Sequence, residues 1–187
     1  MSEPGAVATG FLTDHRRKMW NDTDTPLAYL ITFRAYGTWL HGDMRGSVDR
    51  NNNTYGTPRV DHTPARKGYV RSIAKRKPVR LDARRRRSIE RAVKETCEQR
   101  GWHLIAINVR TNHVHIVVAT GTIKPTSLLS AIKANATRVM REDGCWLSPE
   151  TPWVDKGSRR YLWNDESVAR AVDYVLNGQG DDLPDFL

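Results

Sequence analysis

Hydrophobic and polar positions divide the chain into segments of two periods. Leu27 to Tyr36 (LAYLITFRAY) is rich in β-branched and aromatic residues and predicts a first strand. Gly37 to Arg80 is long and polar, with Gly, Asn, Asp and Pro punctuation, and reads as an irregular insertion. From Leu81 to Arg100 a helix is expected: Asp82 caps it, and Ile89, Ala92, Val93, Thr96 and Cys97 recur at helical spacing. Two β runs follow, Trp102 to Val109 and His113 to Thr120, joined by the short polar turn Arg110-Thr111-Asn112. Lys124 to Glu142 is a second helix, with Pro125 near its start and an apolar face of Leu128, Leu129, Ile132, Ala136 and Val139. Trp153 to Trp163 carries short strand or loop elements. A last helix, capped by Asp165, runs to about Asn177 and ends at Gly178 to Gly180. The order strand, helix, hairpin, helix, short strand, helix implies an α+β fold. A ferredoxin-like antiparallel sheet with helices packed on it is its most economical form. Residues 1–26 read as a loose arm, 27–180 as one domain carrying the 37–80 insertion, and 181–187 as an acidic tail.

Charge narrows the partner. The formal charge is +9 over 187 residues, so a polyanion is expected, nucleic acid before an anionic membrane surface. No apolar run approaches the roughly 20 residues of a spanning helix, and the N-terminus lacks the order of a secretion signal. Cys97 and Cys145 are the only cysteines and form no CxxC pair, which fits a reduced, cytoplasmic setting. No glycine-rich phosphate loop points to a nucleotide cofactor.

The chemistry concentrates in NVRTNHVHIVVAT. Residues two apart on a strand share a face, so His113 and His115 stand side by side while Val114 turns to the core. Paired imidazoles are half of a divalent metal site, and a third protein ligand is needed from elsewhere. On the last helix, Val168, Ala171, Val172 and Val175 form a stripe with Tyr174 on its flank. A phenol there either covers the core edge or, beside a metal-bound phosphate, attacks phosphorus. Tyr29, Tyr36, Tyr55, Tyr69 and Tyr161 sit in strands or loops, where a nucleophile is held less rigidly. Arg84, Arg85, Arg86 and Arg87, with Arg76, Lys77 and Arg80, make a dense basic stretch whose mutual repulsion a DNA backbone would relieve. Arg159 and Arg160, Lys133 and Arg138 are further DNA-contact candidates, and one or two of the six tryptophans could stack on unpaired bases.

These residues resemble a family. NHVHIVV on a strand, the YLITFRAYGTWL and GWHLIAINVRTNHVH segments, and RYLWNDESVARAVDYVLNGQG look like the single-tyrosine HUH transposases of bacterial insertion sequences and the REP-associated tyrosine transposases. The resemblance covers roughly Leu27 to Gly180. It implies a ferredoxin-like fold, single-stranded DNA recognised beside a hairpin, Mg²⁺ or Mn²⁺ on His113 and His115, and attack by Tyr174. That attack would leave a 5′-phosphotyrosine and a free 3′-hydroxyl. It also implies a bacterial cytoplasm, at the nucleoid, and leaves monomer and homodimer both open. One position departs from the pattern: the amide ligand that the family often carries four residues after the tyrosine is Gly178 here. Gln179 and Asn177 flank it, with Gln179 favoured if the helix ends at the glycine. Two other readings share parts of this evidence. A domesticated binder of structured nucleic acid would need only the basic stretch, and a metal-dependent hydrolase would use water and form no adduct.

Overall fold

Strand β1 (Ala28–Ala35) alternates so cleanly that it defines both faces of the sheet. Tyr29, Ile31, Phe33 and Ala35 enter one core cluster, whereas Ala28 and Leu30 enter another. The computed structural model describes residues 25–38, 63–181 and 183; most of the expected arm, insertion and tail lie outside the described residues. Helix α1 (Pro64–Ser72) starts on its proline and occupies part of the segment expected to be irregular. Helix α2 (Ala83–Gln99) follows, its first turn capped by Asp82 Oδ1, which accepts the Arg85 N–H at 2.9 Å. Strands β2 (His103–Val109) and β3 (His113–Ala119) form the expected hairpin, and helix α3 (Pro125–Glu142) leads to β4 (Trp153–Leu162). β4 is one ten-residue strand, where only short pieces were expected.

Helix α4 (Asp165–Leu176) closes the order, and its cap corrects the sequence reading. Asn164, not Asp165, is the cap: its side chain accepts the Ser167 N–H at 2.8 Å and Ser167 Oγ returns to the Asn164 backbone. Asp165 is the first helical residue, where its charge suits the helix dipole.

The four strands lie in the order β2-β3-β1-β4, every neighbour antiparallel. With α2 and α3 as crossovers this is the ferredoxin-like α+β arrangement, to which α4 is added. The larger cluster joins Ile31, Phe33 and Ile116 of the sheet to Ile89, Val93, Ile132 and Met140 of α2 and α3. Each such fully buried side chain contributes about 1.5–3 kcal/mol through burial. The smaller cluster sets Leu30, Ala106, Val117 and Leu162 against Ala171 and Val175 of α4. β4 closes on β1 at Gly157, where a Cβ would lie 2.7 Å from the Thr32 carbonyl oxygen. Lys133 ties α3 to the same strand, donating to the carbonyls of Val154, Asp155 and Lys156 at 2.7, 3.0 and 3.1 Å. That position had been an expected DNA contact; burial lowers its pKa.

Candidate active site

Strand register brings the polar residues of the α4 face together at one end of the sheet. Thr32 lies opposite His115 and Arg34 opposite His113 on β1; Asn108 lies opposite His115 on β2. His113 and His115 share that face with Val117, which is buried under α4. Their rings are edge to face, with centroids 4.6 Å apart. His115 is 5% exposed, and the Tyr174 ring stands edge-on to it at 5.3 Å.

Hydrogen bonds orient both imidazoles. His113 Nδ1 is 2.6 Å from Asn112 Oδ1. An amide oxygen only accepts, so Nδ1 carries a proton and a neutral ring has its lone pair on Nε2. His115 Nδ1 is 2.7 Å from the Thr32 hydroxyl, which suits the same tautomer because a hydroxyl can accept. Burial, then the neighbouring His113, holds His115 well below the usual histidine range, at about 4, with Arg34 pushing the same way. Its imidazole is therefore neutral at physiological pH, the form that ligates metals.

The end of α4 brings in the amide. The helix stops at Leu176, and the Gly178 N–H donates back to the Tyr174 carbonyl at 3.1 Å. Gln179 Nε2 donates to the same carbonyl at 2.8 Å, which aims Oε1 at His113 Nε2, 3.4 Å away. With Nδ1 protonated, both facing atoms carry lone pairs, an arrangement that a cation between them would satisfy. Ligands about 2.1 Å from one ion lie about 3.0 Å apart at right angles and about 3.4 Å apart at the tetrahedral angle. The spacing of the His113 nitrogen and the Gln179 oxygen thus fits a divalent ion, with the neutral His115 imidazole beside them. Among the described residues no group of three His, Cys, Asp or Glu side chains does so. Asn177, the other expected ligand, is exposed, and its amide donates to Asp173 Oδ1 at 2.8 Å.

Gly178 is steric rather than conformational. A Cβ there would lie 2.8 Å from the Tyr174 oxygen and 3.0 Å from its ring carbon Cδ2. Thr32, Arg34, Asn108 and Asn112 were not singled out as site residues from sequence. The first two are the polar positions that alternate within the first strand, and pairing the strands exposes them. Asn108 donates to the Val175 carbonyl at 2.9 Å and pins α4 over the site. Of the other tyrosines, Tyr29 is buried, Tyr36 lies under the Arg76 guanidinium at 4.0 Å, and Tyr161 packs on Tyr29 and Trp163. Tyr69 is on α1, and Tyr55 lies outside the described residues.

The basic stretch divides. Arg84 donates to the Asp143 carbonyl, and Arg85 to the carbonyls of Cys145 and Arg80 at 2.9 and 2.7 Å. Arg76 pairs with Glu150 at 2.7 Å and with the Thr151 carbonyl, also at 2.7 Å. Arg86 is buried beside the Leu81 carbonyl, while Lys77, Arg80 and Arg87 are exposed. Arg138 pairs with Glu142 on its own helix. Arg159 and Arg160 are exposed on opposite faces of β4; Arg160, opposite Leu30, is on the α4 side. Trp102, Trp146 and Trp153 are buried, which removes them as base-stacking surfaces. Among the described residues no helix is long and apolar enough to cross a membrane.

Comparison with curated proteins finds no match. Among solved structures the chain is similar to a REP-associated tyrosine transposase bound to a REP hairpin. That pair is 13% identical with a TM-score of 0.44, over 94% of this chain and 70% of that one. It is also similar to a protein of Deinococcus radiodurans R1 described as a candidate transposase, at 14% identity and a TM-score of 0.43. The match covers 86% of this chain and 97% of that one. The family model for IS200-like transposases matches residues 69–173, more than half of the chain, from α1 to the residue before Tyr174. By that match the chain belongs to the IS200-like transposases, enzymes that cleave and move DNA.

Proposed function

We propose that the protein cleaves and rejoins single-stranded DNA beside a hairpin, through a 5′-phosphotyrosine on Tyr174. The observation that carries this reading is the convergence of His113 Nε2, Gln179 Oε1 and the Tyr174 ring on His115, at the end of the sheet that α4 leaves partly open. His113, His115 and Gln179 would hold Mg²⁺ or Mn²⁺. Such an ion would supply positive charge to offset that of the scissile phosphate. The Tyr174 oxygen attacks phosphorus as the phenol gives its proton to solvent. The P–O3′ bond breaks, and the leaving oxygen takes up a proton to become a 3′-hydroxyl. Attack by a 3′-hydroxyl on the phosphotyrosine reverses these steps and rejoins strands without ATP. Thr32 and Asn112 fix the imidazoles, and Asn108 fixes the helix that carries the nucleophile.

A covalent-trapping gel tests this. Wild type, Tyr174→Phe and His113→Ala are each mixed with labelled hairpin oligonucleotides from the DNA flanking the gene, with Mn²⁺ or EDTA. The expected result is a metal-dependent, label-bearing protein band absent from both variants, with cleavage by Tyr174→Phe down at least about 10³-fold and binding retained. Free ends without an adduct would select a water-using hydrolase. Binding without cleavage in any metal would select a non-cleaving binder of structured nucleic acid.

A further inference from the structure

Helix α1 stands uncovered on the surface. No strand or other helix packs closely on it. Arg66, Tyr69, Arg71 and Ile73 are exposed, Tyr69 by 63% and Ile73 by 58%, and a Cβ at Gly68 would meet nothing within 4 Å. A helix this short falls below the roughly 12–15 residues that hold together unaided in water, and the glycine inside it weakens it further. Such a helix is completed by whatever covers it, and charge says what that is. Between Asp61 and Asp82 the sequence carries seven lysines and arginines and no Asp or Glu. Among the described residues, only Arg76 of this run pairs with a carboxylate, that of Glu150. Arg66, Arg71, Lys75, Lys77 and Arg80 are all exposed. That charge complements a polyanion rather than an apolar protein surface.

The placement of the cations selects a duplex over a single strand. Arg66 and Arg71 are about 140° apart around the helix axis, so they serve two sides of α1 rather than one stripe. A helix with its side chains is about 10–12 Å across and the major groove of B-DNA about 12 Å wide, so a helix lying there meets a phosphate backbone on each side. A single strand has one backbone and is held largely by stacked aromatics, of which α1 has only Tyr69. From α1 the chain leads to the end of the sheet that carries His113. Arg76 lies over the Tyr36 ring at 4.0 Å, and the Val79 N–H donates to the Tyr36 carbonyl at 2.8 Å. The Leu81 N–H donates to the carbonyl of Thr111, next to Asn112, at 2.7 Å. The exposed Lys77 and Arg80 lie along that path. We infer that α1 lies in the major groove of the hairpin's double-stranded stem, with Arg66 and Arg71 on the phosphates of its two walls. This rests on the proposed function, which supplies the hairpin, and adds the surface that holds its stem.

Affinity of the full chain is measured by fluorescence anisotropy in EDTA, over a salt series. One labelled probe is a hairpin oligonucleotide with single-stranded flanks from beside the gene. The other has one arm of the stem altered so that it cannot pair. The double variant Arg66→Ala, Arg71→Ala should bind the hairpin roughly a hundredfold more weakly at fixed salt, about tenfold for each arginine, and the unpairable strand less than about twofold more weakly. Two duplex phosphates contribute about 1.8 to the slope of log affinity against log salt, and the variant should lose that much on the hairpin. Equal losses on both probes would put α1 on the single strand, and no loss on the hairpin would remove it from DNA; either overturns the proposal. A drop in urea stability with DNA binding unchanged overturns it too, by assigning these cations to contacts within the chain. The DNA side gives a readout that needs no variant to fold. Neutral methylphosphonates should weaken wild-type binding roughly tenfold at linkages on both arms of the stem. Losses confined to one arm, or to the flanks, overturn the two-walled contact. If wild type forms the covalent adduct but the variant holds the hairpin normally, the docking surface fails and the transposase reading stands. If wild type binds neither probe, both fail together.

Discussion

The two faces of the sheet are built from alternate residues of the same strands, and they serve opposite ends. On the α2–α3 face, Val114, Ile116 and Val118 are all buried among apolar side chains, and two long helices cover them. On the α4 face the same strand presents His113, His115 and Val117, and only Val117 joins the apolar cluster. The single helix there covers one end of the sheet and stops beside the histidines. A half-covered face lets a polar constellation be oriented by its neighbours while remaining open to a ligand, as the buried apolar stretch of the same strand on the other face could not. Stability and chemistry are therefore separated by one residue along the chain.

That separation can be broken most sharply at the neighbours His115 and Ile116. On the proposed assignment, His115→Ala should reduce strand cleavage by about 10³-fold while leaving the fold intact. Ile116→Ala, one residue on, should cost about 2–5 kcal/mol in urea unfolding. If both variants lost stability equally with equal activity, the two faces would not differ as described. Titrating the metal-free protein comes next. His115 sits at about 4 in the fold against 6.5 for a free histidine, so the unfolded chain binds more protons between those values. The corresponding stability is fully present above pH 6.5 and is lost as pH falls toward 4, by about 3 kcal/mol. Urea unfolding at pH 7.5 and pH 4.5 checks this, and His115→Ala should flatten the difference.

Smaller effects sharpen the polar face itself. Thr32→Val removes the hydroxyl that holds His115 Nδ1 and should weaken Mn²⁺ binding about 10–100-fold, read by calorimetry. Gly178→Ala drives a methyl against the Tyr174 ring and backbone and should slow cleavage about tenfold, with adduct still formed. An unaltered rate would show that the ring's placement is not set there.

Much of this arrangement is written in local pattern. Alternation on a strand is enough to put His113 and His115 on one face, and helical spacing is enough to put Val175 in the core with Tyr174 beside it. Helix α1 escaped because PARKGYVRS has no apolar stripe; only its leading proline signals a start. The arginine run was harder for a different reason. Four like charges in succession look like a surface awaiting a partner, but the partners of Arg84 and Arg85 include carbonyls some sixty residues on, at Asp143 and Cys145. Thr32 and Arg34 were likewise hidden until β1 was laid against β3. For the arginines and for β1, what sequence withheld was a pairing between distant segments.

The helix end at Gly178 has a consequence for how such proteins are found. Because the chain folds back on the Tyr174 carbonyl there, Gln179 arrives beside His113 from one place further along than the interval that the sequence resemblance implies. The family match itself ends at Asp173, before either residue. On the proposed assignment, a search that counts residues from Tyr174 would file this chain as lacking its last ligand. On that assignment the address that matters is spatial: an amide that a reversed helix terminus returns to the histidines fills it, whatever its interval along the chain.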